Sequence, residues 1–497
     1  MEQYVGKNII RPDGYDKATG RAKYAADYKK DDMLYAVVVH SKKAHAKILN
    51  IDITKAKKEA YVFTALDLAN NEIVDIINDR PVFADKVVRF MGEAIAVVAA
   101  DSLEQANYAA SLVEVTYEDL PVYIDPVDAL KEGAVPIGGT SNLVGSFENT
   151  KGDMEKGFNE ADLILEHIYT VPHQEHAYME PDANFSYMDG DTLIVKTSSQ
   201  SAFNDQRMIS HALGLDLDKV VVESATVGGA FGGKDGHMTQ IFGALVTYKT
   251  KRPTKIVFSR QESMAYTFKR HSAKIHLKVG FKKDGKITAF DGNTIIDTGA
   301  YIGYGFTVLG LLSEHLAGPY DIPNVHVNSK LVYTNTTVSS AFRGFGAPQG
   351  SFATESIINE AASILGIDAI KIRLINALET GKVGSIGQTI TASCGLKDAL
   401  LMLESSPLWK EKENKQDGIG YGVACGYLSC GFGKGIPDKA QVKLQKNNDI
   451  FELYIGFTEI GQGATTSMQS IAAEALNVDV SKIKMIQSNT KTTFDCG

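Results

Sequence analysis

A glycine-rich segment followed by helical periodicity occurs three times in this chain, and that recurrence constrains it most. The first is Gly228-Gly229-Ala230-Phe231-Gly232-Gly233-Lys234-Asp235, after the apolar run Val220-Val221-Val222. The second is Ala341-Phe342-Arg343-Gly344-Phe345-Gly346-Ala347-Pro348-Gln349-Gly350, and the third is Glu459-Ile460-Gly461-Gln462-Gly463, after Phe451 to Ile455. Glycine lets the backbone adopt unusual angles and approach a ligand closely. The first turn of a helix offers free N–H groups and a positive dipole end. Three such junctions suit one large anionic cofactor with many hydrogen-bonding edges. The spacing predicts helices with Met238, Ile241, Phe242 and Leu245 on one face, then Phe352, Ile357, Ala361, Ile364 and Leu365 with a stop at Gly366, then Met468, Ile471, Ala472 and Leu476.

Two nucleotide readings fail on the residues. Gly228 to Lys234 fits G-x-x-x-x-G-K, but Asp235 stands where a phosphate loop needs Ser or Thr to hold magnesium. The Gly344, Gly346, Gly350 spacing is not a dinucleotide fingerprint.

Composition bounds the rest. At 497 residues, three domains are expected from roughly 150 residues each. A net charge of -9 argues against nucleic acid as the main partner. No apolar run reaches the ~18 residues of a membrane span, and the start, Met1-Glu2-Gln3-Tyr4, lacks the pattern of a secretory leader, so a cytoplasmic location is expected. Cys394, Cys425, Cys430 and Cys496 form no C-x-x-C pair and read as reduced thiols rather than zinc or iron–sulfur ligands.

Along the chain, the first ~125 residues read as a small α+β unit. It has strands near Tyr35–Val39, Ala94–Ala99 and Val113–Tyr117, and a helix after Ser102, which stands three residues before Gln105 as in a capping box. Residues 127 to 150, with Gly138-Gly139, read as a linker. Strands and helices alternate from about 150 to 385, including a strand over Thr192–Thr197 and a helix carrying Phe203, Met208, Ile209 and Leu213. Lys410 to Asp417 reads as a surface loop. His173, His176 and Arg270-His271 read as structural residues.

The motifs GGAFGGK (228–234), AFRGFGAPQG (341–350) and TEIGQG (458–463) resemble those of the molybdenum-cofactor subunit of the xanthine dehydrogenase and aldehyde oxidase family. DKATGRAKYAADY (16–28), AHAKI (44–48), GEAIAVVAA (92–100) and MEP (179–181) add to the resemblance, in the family's order over nearly the whole chain. It implies an α+β fold. Residues 18–125 would be an α/β hammerhead domain, 145–385 a first molybdenum-cofactor-binding domain, and 390–497 the incomplete start of a second. The implied cofactor is molybdopterin, as Mo-molybdopterin or its cytosine dinucleotide form, with no side chain ligating the metal. The implied reaction hydroxylates an electron-poor carbon with oxygen from water and passes electrons to iron–sulfur and FAD centres on partner subunits.

Residue roles follow the same resemblance. Gln200 would hydrogen-bond the metal's oxo group. Gly229, Ala230, Phe231 and Gly232 would form the loop beside the metal. Arg343, with Gly344, would place a cation that stabilises developing negative charge. Phe345 would pack against a flat substrate. Asp235 stands where xanthine-oxidising relatives commonly have a glutamate, and by that position would be a catalytic residue. Gly461, Gln462 and Gly463 would bind the pterin, and Phe432 would be a second clamping ring.

Two departures bear on substrate. Asp235 is one methylene shorter than glutamate. Gly310-Leu311-Leu312-Ser313 occupies the neighbourhood where xanthine-oxidising relatives carry an arginine before the tyrosine equivalent to Tyr320. Another purine, a nicotinate-like heterocycle or an aldehyde is therefore expected rather than xanthine. The cysteine of carbon monoxide dehydrogenases is missing from the second loop. The chain stops at Phe494-Asp495-Cys496-Gly497, inside a family motif. A second molybdopterin polypeptide is expected to supply the glutamate base, this chain alone being catalytically incomplete. The alternative is a truncated, non-catalytic assembly partner.

Overall fold

The computed structural model describes residues 4–74, 76–236, 238–412, 414, 417–429 and 441–496. In the N-terminal part the strands are β1 (Leu34–His40), β2 (Ala46–Asp52), β3 (Tyr61–Phe63), β4 (Val87–Val88), β5 (Ala94–Ala100) and β6 (Glu114–Asp119). The middle contributes β7 (Leu143–Lys151), β8 (Leu163–Val171), β9 (Ala183–Asp189), β10 (Thr192–Thr197), β11 (Val220–Ser224), β12 (Thr254–Val257), β13 (Ala273–Phe281), β14 (Ile287–Gly299) and β15 (Asn324–Tyr333). The last part adds β16 (Val442–Asn447), β17 (Ile450–Ile455) and β18 (Ile483–Ile486).

Among the described residues these strands form four sheets. The largest runs β11-β10-β9-β12-β1-β5-β3, and the next runs β7-β15-β14-β13-β8. Two small sheets follow, β16-β17-β18 and β4-β2-β6. The N-terminal unit is thus split. Its β2, β4 and β6 pair among themselves, whereas β1 joins β12 in parallel, Leu34 opposite Thr254. This explains the unbroken apolar sequence of β5. It lies inside the large sheet between β1 and the edge strand β3, and Ile95 to Ala100 are all buried. By contrast β13 alternates, with Ala273, Ile275, Leu277 and Val279 buried and Lys274, His276 and Lys278 turned out.

Each large sheet carries helices on an apolar face. The helices Ala202–Leu213 and Thr239–Thr250 pack on the seven-stranded sheet, and Gly305–His315 and Ala347–Leu365 pack on the five-stranded one. Two helix readings need correction, and one gains an addition. Met238, Ile241, Phe242 and Leu245 are buried in the core as expected, and the polar face of the same helix, with Thr239, Gln240 and Thr247, is buried too. The helix is enclosed, with Phe83 of the N-terminal unit stacking on Phe242 at 5.1 Å. In Ala347–Leu365, Ile357 and Ala361 are buried as expected, but Phe352 and Ile364 face outward while Thr354 and Glu355 turn in. In Ala464–Leu476, Met468, Ala472 and Leu476 pack on a small core as expected, but Ile471 is exposed, and the buried residues are Gln469, Ser470 and Ala473.

The linker reading is also overturned in part. Residues 143–151 form β7, whose main chain pairs antiparallel with β15, Lys151 opposite Val325. Its partly polar sequence is that of an edge strand rather than of a connector. Lys410 lies at the end of a short helix, Pro407–Glu411, instead of in a loop. Ser102 does cap its helix, accepting from the Gln105 N–H at 3.1 Å. Gly366 ends its helix in the left-handed region, φ +67°.

Candidate active site

The three glycine-rich segments meet at one hollow of about 1010 Å³. Loop 1 leaves the seven-stranded sheet at β11. Its entry is steadied by the N-terminal segment, where Tyr24 bridges Thr226. Glu180 then grips the loop twice. Its Oε2 accepts from the Gly228 N–H and from Lys234 Nζ, both at 2.8 Å. Lys234 is fully buried and lies over the Tyr178 ring at 4.6 Å. Burial pulls its ammonium below the ordinary lysine value, against the attraction of Glu180. The loop's one lysine is thus committed to scaffolding, which removes the charge a phosphate loop would use.

Loops 1 and 2 lie against each other. The Arg343 N–H donates to the Phe231 carbonyl at 2.9 Å. Gly232 has φ +101°, and a Cβ there would stand 2.7 Å from the Ala341 carbonyl oxygen. Phe231 and Phe345 both occupy the left-handed region, at φ +55° and +49°. That conformation is uncommon outside glycine and strains bulky residues. Two such phenylalanines on facing loops are what a site that aims aromatic rings would require.

Gln200 sits at the corner between β10 and the helix Ala202–Leu213. Its Oε1 accepts from the Gly232 N–H at 2.9 Å, and its own N–H donates to the Lys234 carbonyl at 2.9 Å. The Gly232 contact fixes the amide's orientation and leaves the NH₂ end as a donor on the wall of the hollow. Ser199 and Gln240 hydrogen-bond the buried Asp205 behind it, and burial pushes this carboxyl up to about 7.

Loop 3 is organised by its own glutamate. Glu459 accepts from the N–H groups of Gly461 at 2.8 Å, Gly463 at 3.0 Å and Thr465 at 3.0 Å, and from Thr465 Oγ1 at 2.9 Å. Burial opposes its ionisation, but these donors prevail, led by the Gly463 amide, and hold Glu459 below the usual carboxylate value. Gln462 folds back, accepting from the Ile460 N–H at 2.7 Å and donating to the Thr458 carbonyl at 3.0 Å.

These contacts correct the expected use of helix N-termini. After loop 1 the helix begins only at Thr239. At the start of the third helix, Glu459 already takes the N–H groups of Gly463 and Thr465. The second helix starts inside its motif, after Gly346, with Pro348 in its first turn. Bare loop backbone, rather than free helix ends, shapes the hollow.

Of the residues singled out from the sequence, Gln200, Gly229, Phe231, Gly232, Asp235, Arg343, Gly344, Phe345, Gly461 and Gln462 line the hollow. Ala230 is fully buried and does not. Gly463 stands back from the wall as the N-cap of its helix. Phe432 lies outside the described residues. Lys17, Tyr24, Met179, Glu180 and Phe342 also line the hollow and were not singled out. Their signal lay in the segments DKATGRAKYAADY, MEP and AFRGFG, whose individual side chains carry no chemistry legible in isolation.

The residues present fit an anionic, flat, acceptor-rich cofactor. Arg343 is exposed to the hollow, and no carboxylate among the described residues pairs with it. Gln200 offers an amide donor. Main chain stands bare at Gly228, Gly229, Gly232, Gly344 and Gly461.

Comparison with known proteins gives the arrangement its family. The aldehyde oxidase and xanthine dehydrogenase a/b hammerhead domain matches residues 19–121, and molybdopterin cofactor-binding domains match 138–377 and 402–497. The large molybdopterin subunit of nicotinate dehydrogenase from Eubacterium barkeri is 39% identical over 80% of this chain and 95% of its own length. The chain belongs to the xanthine dehydrogenase and aldehyde oxidase family of molybdenum-dependent oxidoreductases. Within this family, a xanthine dehydrogenase molybdenum-binding subunit from Escherichia coli is 31% identical over 98% of this chain and 68% of its own. The aldehyde oxidoreductase of Desulfovibrio gigas superposes with a TM-score of 0.90 at 29% identity, covering 99% of this chain and 57% of that one. The chain therefore spans somewhat more than half the length of that solved relative. No helix among the described residues is long and apolar enough to cross a membrane.

Proposed function

We propose that this chain is the molybdopterin-binding subunit of a hydroxylase acting on an electron-poor carbon of an N-heterocycle, nicotinate-like or purine-like. The observation that carries the proposal is the convergence of Gln200, Arg343 and Phe345, from separate segments, on one glycine-walled hollow. When bound, molybdopterin, alone or as its cytosine dinucleotide, supplies a two-electron redox centre that draws oxygen from water.

The chain's own residues divide the remaining work. Gly229, Gly232, Gly344 and Gly461 let main chain approach a flat ring system. The Gln200 NH₂ donates to an acceptor oxygen beside it. Arg343 holds a fixed positive charge where negative charge develops. Phe231 and Phe345 offer apolar faces to a planar substrate. Asp235 adds a carboxylate at the wall. No side chain is assigned as a metal ligand. Glu180 Oε2 is taken by Gly228 and Lys234, and a glutamate base is proposed to come from a second molybdopterin-binding chain. Subunits with [2Fe-2S] and FAD centres are proposed as electron acceptors, in a complex without nucleic acid or membrane, in the cytoplasm. The domain reading of 18–125, 145–385 and 390–497 belongs to the same proposal.

A nicotinate-like substrate is favoured by the similarity to the Eubacterium barkeri subunit along nearly all of that protein. An aldehyde substrate is the second reading, supported by the likeness in shape to aldehyde oxidoreductases. The test is to isolate the native complex through this chain and assay dye reduction with pyridine carboxylates, purines and aldehydes in ¹⁸O-labelled water. The proposal expects label in a ring-hydroxylated product. Turnover of aldehydes alone would replace it with the second reading, and a complex holding molybdenum but turning over nothing would point to an assembly role.

A further inference from the structure

His176 and Arg270 stand out in the sequence, yet the chemistry above gives neither a task. The structure brings both to one side chain of loop 2, Phe342. The His176 ring stacks on the Phe342 ring with centroids 4.1 Å apart and planes 20° from parallel. The Arg270 guanidinium carbon stands 3.9 Å from the same centroid. The phenylalanine is thus flanked by an imidazole and a guanidinium, an arrangement that combines stacking with cation–π attraction.

The same two side chains also hold the main chain on either side of Phe342. His176 Nε2 donates to the Ala341 carbonyl at 2.8 Å, and Arg270 Nη2 donates to the Arg343 carbonyl at 3.0 Å. Arg270 is itself oriented, its Nε donating to Gln174 Oε1 at 3.1 Å and its Nη1 to Gln349 Oε1 at 3.4 Å. Loop 1 meets this clamp as well. A Cβ on Gly233 would come within 2.8 Å of the His176 ring, so glycine alone lets the two approach. Burial lowers His176 to about 4, which keeps the ring neutral and its Nε2 proton on the Ala341 carbonyl at neutral pH.

Arg343 has its carbonyl held by this clamp and its N–H held by Phe231, while its side chain extends freely into the hollow. The placement of its α-carbon therefore sets the point from which the charge reaches into the hollow. Phe345, two residues on, inherits the same frame.

We propose that His176 and Arg270 are positioning residues: by clamping Phe342 and the carbonyls beside it, they set where the Arg343 charge and the Phe345 ring stand against the cofactor and substrate. The inference rests on the reading of Arg343 as the cation beside molybdopterin. A displacement of about 1 Å at a reacting group is enough to cost on the order of 10²-fold in rate.

The test uses the native complex, carrying Arg270→Met, Arg270→Lys, Phe342→Leu, His176→Leu or His176→Gln. Molybdenum content, thermal midpoint, the paramagnetic resonance signal of the metal, kcat and KM are measured on each. Arg270→Met and Phe342→Leu are expected to keep the metal and fold, to change the resonance signal, and to lower kcat on the order of 10²-fold with a smaller change in KM. Arg270→Lys keeps the charge but not the planar fork, so it recovers part of the loss. His176→Gln retains an N–H donor and stays nearer the parent than His176→Leu. A parental kcat and signal in both Arg270→Met and Phe342→Leu overturns the inference. So does a loss that only tracks missing metal or unfolding. If Arg270→Met fails to assemble, Phe342→Leu, a swap between apolar side chains, decides by the same criteria. A parental complex without molybdenum overturns the underlying reading and the inference together. A loaded parent with indifferent variants overturns the inference alone.

Discussion

The hollow has two kinds of wall. Loops 1 and 2 are tied to each other and to buried charge, through Arg343 to Phe231, Gly228 to Glu180, and the enclosed Glu180–Lys234 pair. They stand on the two large sheets and their helices. Loop 3 is tied chiefly to itself, through Glu459 and Gln462. It rides on a small core around Leu453, Ile455, Ala473 and Ile483. That unit hangs from the free edge of β11, where Val222 and Ser224 meet Ser488 and Thr490 and where Ser224 Oγ meets Thr458 Oγ1 at 3.0 Å. The difference teaches that one side of the hollow is pre-organised by long-range packing, and the other by a local hydrogen-bond ring that a single carboxylate sustains. Such a local ring is the cheaper element to open when a cofactor enters.

The largest loss is expected from Lys234→Met, which leaves the mostly buried Glu180 carboxylate with the Gly228 N–H but without its cation. It is expected to cost about 3–5 kcal/mol, read by denaturant unfolding. A cost below about 1 kcal/mol would mean that the rigid wall does not depend on the pair. Next comes Arg343→Met. Its side chain projects into the hollow, so the unfolding midpoint should stay parental while kcat falls on the order of 10²–10³-fold.

Glu459→Gln probes the other wall. Losing a charged cap is expected to loosen loop 3 by about 1–2 kcal/mol, seen as faster hydrogen exchange at Gly461 and Gly463 with loop 1 unchanged. The pH dependence follows from the lowered value of Glu459. A carboxylate held below its unfolded value contributes stability that is complete above the unfolded value and lost as pH falls through the folded one. Acidification through and below the ordinary glutamate range should therefore open loop 3 in the parent. Glu459→Gln should flatten that response. The smallest effect is expected from Gln462→Ala. Among the described residues its amide bonds within its own loop, so stability should change by no more than about 0.5 kcal/mol, while cofactor retention drops. A large loss of stability would show that loop 3 is anchored more broadly than its contacts suggest.

What the sequence reveals follows the same division. Local features were legible. The strand Thr192–Thr197, the Ser102 cap, the Gly366 stop and the three loops all rest on short-range periodicity or on glycine's conformational freedom. Features made by distant pairing were not. Nothing near Leu34 announces that it pairs with Thr254, so the N-terminal unit could not be seen sharing the large sheet. The strand Leu143–Lys151 passed for a linker because an edge strand has little buried surface to pattern. Ala230 and Gly463 belong to the right motifs but turn away from the hollow, since a motif does not state which of its residues face the ligand. His176 and Arg270 read as structural, but what they hold, Phe342, lies far along the chain and is not announced by spacing. Glu459, inside a quoted motif, holds loop 3 through hydrogen bonds that spacing alone does not disclose.

The most direct test of the account is a density map of the native complex purified with its own cofactor. The account predicts one pterin bridging all three loops, within hydrogen-bonding reach of Gln200 and of loop 3, with Arg343 and Phe345 on the same side as its metal. A pterin bound elsewhere, or one touching a single loop while Arg343 faces solvent, would contradict it.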